Sequence, residues 1–366
     1  MSGGTSPIAL CYGTRPQVIK ASVLRRTLAR VAPVLAVDTG QHYDYALNAL
    51  LYEQLGVAAP DRCLEVGSAG HAEQTAAILT RAEAVFRERT PRAVVVIGDT
   101  NSTVACALAA GKLRIPVVHV EAGLRAADTL MAEEINRRVV DSFAQLLCTP
   151  SAAATTRMRA EHPDAAVAET GDVARDVLLA QLDRLPDIGA LVPDAARNGF
   201  AFATLHRAEL TDHPARLRGV LEALAGLPLP VVLALHPRTR AAMDAHGIAV
   251  PIKGGLSIIP AVGYLESLAM TGRARVVITD SGGLQREAYW LGVPCVTMRS
   301  ETEWIETVAL GANRLASPEA PGDLARIAGE QAGAGGWDRN AYGRGDAAER
   351  IAGEVASLTK PAPAVR

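Results

Sequence analysis

The chain has 366 residues, with 37 Lys and Arg against 39 Asp and Glu. At roughly 150 residues per domain, this length predicts two domains, each large enough to own a core. Apolar residues at 49% and charged residues at 21% exclude a disordered chain, and a net charge of −2 gives no electrostatic footprint for nucleic acid or an anionic membrane surface. An anionic ligand must therefore be gripped by a local site.

From the N-terminus the pattern reads as strand, loop and helix: Ile8 to Tyr12, the turn Gly13-Thr14-Arg15-Pro16, then a helix from Gln17 to Arg30. The run Val34 to Val37 ends at the polar loop Asp38 to Asp44. A helix over His71–Arg89 leads to the run Ala93 to Ile97, which stops at Gly98-Asp99-Thr100. A helix over Thr103–Leu113 follows, then Val117 to Val120, which stops at Glu121-Ala-Gly-Leu-Arg125. The spacing from Glu133 predicts a helix over 133–147. The alternation restarts after Thr170-Gly171-Asp172, with strands expected at Phe202–Leu205, Val231–Leu235, Ile258–Ile259, Val276–Thr279 and Cys295–Thr297.

Continuous β-branched runs separated by helices indicate parallel sheets covered on both faces. The expected fold class is α/β, with two doubly wound Rossmann-like domains and a cleft between them. Domain one is expected over 1–169 with a C-terminal helix at 347–366 packing back on it, and domain two over 170–346. Aromatics make up only 4% of the chain, so the core must be built from Ala, Leu and Val. The five scattered cysteines contain no C-x-x-C pair and read as small buried hydrophobes in a reducing compartment. With no signal-peptide pattern and no apolar run of membrane-spanning length, a cytoplasmic protein is expected.

In open α/β sheets, ligands bind beyond the carboxyl ends of the strands. Polar residues collect there: Arg15 and Lys20 after the first strand, Gln41 and His42 after the second, Asp99 and Glu121 after later ones. His206 and Arg207 open the second half, and His236 follows its second strand. Each alone is as readily an ordinary loop residue; the set argues for a site.

Asp280-Ser281-Gly282-Gly283 is the most specific anion device, because two glycines at a strand-to-helix turn let backbone N–H groups approach a phosphate. Glu287, one turn on, is placed to accept the hydroxyls of a ribose, or is an ordinary surface carboxylate. Arg15 and Lys20 flank the first turn of a helix and suit a diphosphate. Asp99, Glu121 and Glu133 read as proton carriers or as metal ligands, although a magnesium site more usually shows paired Asp residues at one place. Of the adjacent Glu133 and Glu134, one is expected only to complement the helix dipole. Neither glycine turn is a G-x-G-x-x-G fingerprint, and no Walker sequence or nucleophile elbow appears, so no cofactor, metal or covalent hydrolase chemistry is indicated. Proton transfer on a nucleotide-linked substrate is the remaining reading.

Together these residues resemble the non-hydrolysing UDP-N-acetylglucosamine 2-epimerase family, which has the glycosyltransferase-B fold. The resemblance runs through GTRPQVIK (13–20), TGQHYD (39–44), GDTNST (98–103), HVEAGLR (119–125), EEINR (133–137), TLHRAE (204–209), HPRTR (236–240), TDSGG (279–283) and RSETEWIET (299–307). It is similar above all to the branch with archaeal members and with epimerases of diacetamido uronic acid nucleotides. The chain departs from the family at Leu210, Ala132, Ala127, Asp44 and Ser267, while Trp304 matches the closer branch.

The resemblance implies UDP on the second domain, with Ser281, Gly282 and Gly283 on phosphate and Glu287 on ribose. Arg15, Lys20 and His206 would reach the diphosphate or sugar, with Gln41, His42, Arg207, His236 and Arg299 also lining the substrate. Asp99, Glu121 and Glu133, with Lys20 and His206, match the catalytic positions. The implied reaction removes the proton at the sugar's 2-position while UDP leaves, and then re-adds UDP with reprotonation on the opposite face. A UDP-sugar hydrolase or glycosyltransferase on the same fold, or a non-catalytic nucleotide-sugar binder, is the alternative. The family also implies a homodimer.

Overall fold

The computed structural model describes residues 6–41, 52, 56–189, 192, 199–251 and 254–358. His42 and Asp44 lie outside the described residues, as does the tail from 359 onward. The chain divides into two compact units, Met1–Ala180 with Asn340–Arg366, and Gln181–Arg339. The first thus runs past the boundary expected at 169/170.

Among the described residues the first unit has seven strands: β1 (Ile8–Tyr12), β2 (Val34–Asp38), β3 (Arg62–Cys63), β4 (Ala93–Ile97), β5 (Val117–Val120), β6 (Leu146–Thr149) and β7 (Ala166–Glu169). All pairings are parallel, in the order β3-β2-β1-β4-β5-β6-β7. Helices α1 (Arg15–Leu28), α2 (His71–Arg89), α3 (Asn101–Lys112), α4 (Ala132–Asp141), α5 (Ala152–Glu161) and α6 (Val173–Gln181) connect or follow them. Every residue of β1 and β4 is buried, which is why these strands read as unbroken apolar runs rather than alternating ones. On α3, Ala105, Cys106, Ala107, Ala109 and Ala110 are fully buried, so small side chains let this helix pack closely on its neighbours.

The second unit repeats the plan with β8 (Ala201–Thr204), β9 (Val231–Leu235), β10 (Leu256–Pro260), β11 (Val276–Thr279), β12 (Cys295–Thr297) and β13 (Asn313–Leu315). Their order is β10-β9-β8-β11-β12-β13, again all parallel. Its helices are α7 (Ala208–Thr211), α8 (Pro214–Ala225), α9 (Pro237–Ala245), α10 (Tyr264–Arg273), α11 (Gly282–Leu291), α12 (Ile305–Ala309) and α13 (Leu324–Gln331). Helix α14 (Ala347–Leu358) then returns to the first unit and packs on α1.

One expected element is corrected. The helix foreseen over 133–147 ends at Asp141, and Leu146–Thr149 is the buried strand β6. An apolar run of four residues fits either element, and only the sheet beside it decides. Strands β3, β7 and β13 were not foreseen. All three are short edge strands with exposed or half-buried residues. Cys11, Cys106, Cys148 and Cys295 are buried, as expected of small hydrophobes, and Cys63 is exposed. Among the described residues no helix is long and apolar enough to cross a membrane.

Candidate active site

Both sheets reverse strand order at one point, between β1 and β4 in the first unit and between β8 and β11 in the second. Loops diverge there and leave backbone groups open to a ligand. The turns after β1 and β4, which carry Arg15 and Asp99, and those after β8 and β11, which carry His206 and Ser281, stand at these two points.

In the first unit, the turn after β1 is fastened to the turn after β4 by Gln17. Its Oε1 accepts from the N–H groups of Gly13 at 2.9 Å and Thr14 at 3.2 Å. Its amide donates to the Ile97 carbonyl, 2.6 Å, and to the hydroxyls of Thr100 and Thr103, 2.9 and 3.0 Å. Gln41 is held from the other side, its Oε1 accepting from Ser102 N–H at 3.0 Å and Ser102 Oγ at 2.6 Å. Arg15 is exposed at the head of α1 and makes no ion pair within the described residues.

The carboxylates fall into two states. Glu121 is 7% exposed and pairs with the buried Lys20 at 2.5 Å. Its backbone lies in the left-handed region at φ 71°, a conformation costing a non-glycine residue of order 1–2 kcal/mol. A Cβ on Gly98 would stand 3.3 Å from Glu121 Oε2, so the Glu121 carboxylate lies against the turn that carries Asp99. Asp99 is half-buried and its Oδ2 accepts from Arg137, which also donates to Glu134. The Asn136 amide donates to the Asp99 carbonyl at 3.0 Å.

Glu133 is exposed and makes no side-chain hydrogen bond within the described residues, whereas Glu134 is fully buried. Glu134 accepts from Ala126 N–H at 2.9 Å, from Arg137, and from Arg138 Nε at 2.7 Å. Adjacent helical residues point about 100° apart, so one of the pair is structural and the other faces solvent.

In the second unit the buried Asp280 ties both sides of the switch point. Its Oδ2 accepts from the backbone N–H groups of His206 and Arg207, each at 2.8 Å. His206 Nδ1 stands 3.2 Å from Asp280 Oδ1 in ion-pair range, outside hydrogen-bond geometry. The rings of His206 and His236 lie 5.0 Å apart, and His236 caps α9 by accepting from Arg238 N–H at 3.2 Å. Ser281 is the N-cap of α11, and Gly282 and Gly283 form its first residues. A Cβ on Gly282 would meet Trp304 Nε1 at 3.1 Å, and Trp304 in turn stacks under the Arg286 guanidinium at 3.8 Å. Glu287 is half-buried on the next turn. The buried Arg299 forms a bidentate pair with the half-buried Glu303, 2.9 and 3.1 Å. Burial alone would raise the Glu303 carboxyl, but the guanidinium fork outweighs it and holds Glu303 down at about 2.

A family model for UDP-N-acetylglucosamine 2-epimerase matches residues 29–356. The chain belongs to this family. It is 40% identical to the UDP-2,3-diacetamido-2,3-dideoxy-D-glucuronate 2-epimerase of Pseudomonas aeruginosa, over 96% of this chain and 99% of that protein. Its structure is similar to that of the Methanocaldococcus jannaschii UDP-GlcNAc 2-epimerase in complex with UDP-GlcNAc and UDP, with TM-score 0.85 and 33% identity, covering 96% and 99% of the two chains. A calicheamicin glycosyltransferase shares the fold at TM-score 0.56 and 17% identity, covering 96% of this chain and 97% of that one. The expected architecture of two doubly wound α/β domains, of glycosyltransferase-B type, therefore holds.

Within this epimerase family frame, the structure joins Lys20 to Glu121 and His206 to His236, and sets Ser281, Gly282 and Gly283 at one helix start. It also sets Asp99 and Glu121 at the ends of the paired strands β4 and β5. Arg15 and Glu133 stand exposed, while Arg299 is engaged with Glu303. His42 lies outside the described residues. Sequence reasoning passed over Arg137, Asn136 and Gln17, and read Asp280 only as the head of the glycine turn. All four sit inside motifs that carried the resemblance, and an arginine four residues beyond a candidate acid was a signal available for Arg137.

Proposed function

We propose that the chain inverts the 2-position of a UDP-linked N-acetylated aminosugar, either UDP-N-acetylglucosamine or a diacetamido uronic acid relative. The observation that carries this reading is the pair of carboxylates at neighbouring strand ends, each held against a buried cation: Asp99 on Arg137 and Glu121 on Lys20. A carboxylate so fixed is poised to take or return a proton at a defined atom. Near full-length identity to 2-epimerases of both sugar types supports the same reaction class.

The reaction balances without a redox partner. One carboxylate removes the proton at C2 as the C1–O bond to UDP breaks, and the electron pair forms the C1=C2 bond of a glycal. UDP oxygen then re-adds at C1 while a proton is delivered to C2 from the opposite face. Asp99, Glu121 and Glu133 serve as the proton carriers, with Lys20 and His206 stabilising charge as UDP departs. In the second unit, Ser281, Gly282 and Gly283 with the start of α11 hold phosphate, Glu287 the ribose hydroxyls, and Arg207, His236 and Arg299 complete the nucleotide-sugar surface. In the first, Arg15 and Gln41 approach the diphosphate and sugar. The enzyme is further proposed to be a cytoplasmic homodimer, a state that light scattering on the purified chain reads directly.

The deciding experiment incubates the protein with each UDP-sugar in deuterated water and follows C2 by NMR. Deuterium at C2 with inverted product is expected for one of the two sugars. Release of free sugar and UDP would instead assign a hydrolase, and inertness toward both sugars would sink the reading.

A further inference from the structure

Beneath the Asp99 and Glu121 turns lies a buried polar cluster that no step of the proposed reaction uses. His119, within β5, is fully buried, with Nδ1 2.7 Å from Asp141 Oδ1 and Nε2 2.7 Å from the Gly98 carbonyl oxygen. A carbonyl only accepts, so Nε2 carries the hydrogen in that contact. Asp141 accepts further from Arg125 Nη1 at 2.7 Å and from Gly123 N–H at 3.3 Å. Burial pushes the Asp141 carboxyl up, but His119 and Arg125 outweigh it and keep it below its usual range.

Each contact fastens a different carboxylate-bearing segment. Gly98, at φ 67°, directly precedes Asp99, and its carbonyl direction sets where that residue leaves the strand. Gly123, at φ 83°, ends the tight turn that begins with Glu121. Asp141 is the last residue of α4, whose first turn carries Glu133. The rest of β5 is valine, and a buried ion pair adds little net stability over apolar groups of equal volume. What the polar cluster supplies instead is direction, because it admits one orientation of the two turns.

We propose that His119 and Asp141 are positioning residues that keep Asp99, Glu121 and Glu133 in register for the two proton transfers at C2. The proposal rests on the epimerase reading for its reaction. Its structural half is read separately by hydrogen exchange.

In the full chain, His119→Leu is expected to lower kcat about 100-fold, as a misplacement of about 1 Å does, with KM and UDP affinity changed less than threefold. Amide exchange should quicken at the 98–100 and 121–125 turns while the rest of the first unit stays protected. His119→Gln keeps a donor for the Gly98 carbonyl and should recover at least tenfold of the lost kcat. Exchange at both turns unchanged from wild type, or protection lost evenly through the first unit, would overturn the proposal. So would a kcat within threefold of wild type. Should His119→Leu fail to fold, His119→Gln and Asp141→Asn carry the same comparison, with smaller losses expected in the same order. If the wild-type chain turns over neither UDP-sugar, the epimerase reading falls, and exchange at the two turns alone decides whether His119 positions them.

Discussion

At the scale of the residue, the buried charges of the site are held by fixed partners, whereas Arg15 and Glu133 stand exposed. Lys20 and Glu121 are both buried, so removing one leaves the other as an uncompensated charge in a low dielectric. Lys20→Met is therefore expected to cost about 3–5 kcal/mol of stability as well as activity. The double variant Lys20→Met/Glu121→Gln should regain most of that stability and none of the turnover. Denaturant midpoints of the two variants measure the difference, and equal midpoints would contradict the pairing. Asp99 and Glu121 were legible in the sequence because a carboxylate after an apolar run ends a strand. Lys20, which pairs with Glu121, was legible too, but Arg137, which holds Asp99, and His119, beneath both turns, were not. Both are chosen by which turn of α4 and which strand lie alongside, information that a linear pattern does not carry.

At the scale of the element, long periodic helices and fully buried strands were readable, while short or exposed ones were not. β4 announces itself by five apolar residues, but β7 presents only Ala166–Glu169, half exposed at a sheet edge. Where elements converge, tolerance is small. A Cβ on Gly13 would stand 1.9 Å from Thr39 Oγ1 and 2.3 Å from Ser102 Oγ, a hydroxyl pair that also steadies Gln41. Gly13→Ala is expected to cost about 1–3 kcal/mol through this overpacking and to raise KM, measured by thermal unfolding and initial rates. A variant with native midpoint and native KM would show the junction to be slack.

The same scale contains a pH effect. Asp176 on α6 accepts from the N–H groups of Ala347 and Ala348 at 3.2 and 2.9 Å, and so caps α14. Burial pushes its carboxyl up to about 6, against the two N–H bonds that lower it, with Asp172 adding to the rise. Because the folded value lies above the unfolded one, its contribution is fully present below about 3.8 and is lost as pH climbs through about 6. Asp176→Asn keeps an acceptor for the helix and has no charge to bury. Its melting temperature should exceed wild type at pH 8, by about 1–3 kcal/mol of stability, and converge with it near pH 4. Asp176→Ala, with no acceptor, should instead fall below Asp176→Asn at both pH values. A constant offset between wild type and Asp176→Asn from pH 4 to 8 would refute this account.

At the scale of the whole molecule, a chain with net charge −2 pairs buried cations with local carboxylates: Lys20 with Glu121, Arg137 with Asp99 and Glu134, Arg299 with Glu303. It also closes on itself. The second unit is an insertion between α6 and α14, and the last helix completes the first unit by burying Ala347, Ala348, Ile351, Ala352 and Val355. Burial of Ile351 and Val355 alone is worth about 3–6 kcal/mol, a large share of the stability of a unit this size. Deleting residues 346–366 is therefore expected to lower the unfolding of the first unit by tens of degrees or abolish its folding. The second unit, with its own sheet and core, should still unfold cooperatively. The two transitions can be told apart by UDP, which in this reading binds the second unit: at a hundredfold over its Kd it adds about 2.7 kcal/mol to that transition only. Calorimetry of the truncated chain with and without UDP makes the comparison. If both transitions fall together on truncation, the units are not energetically separate, and if neither falls, α14 is not the closing element its burial makes it.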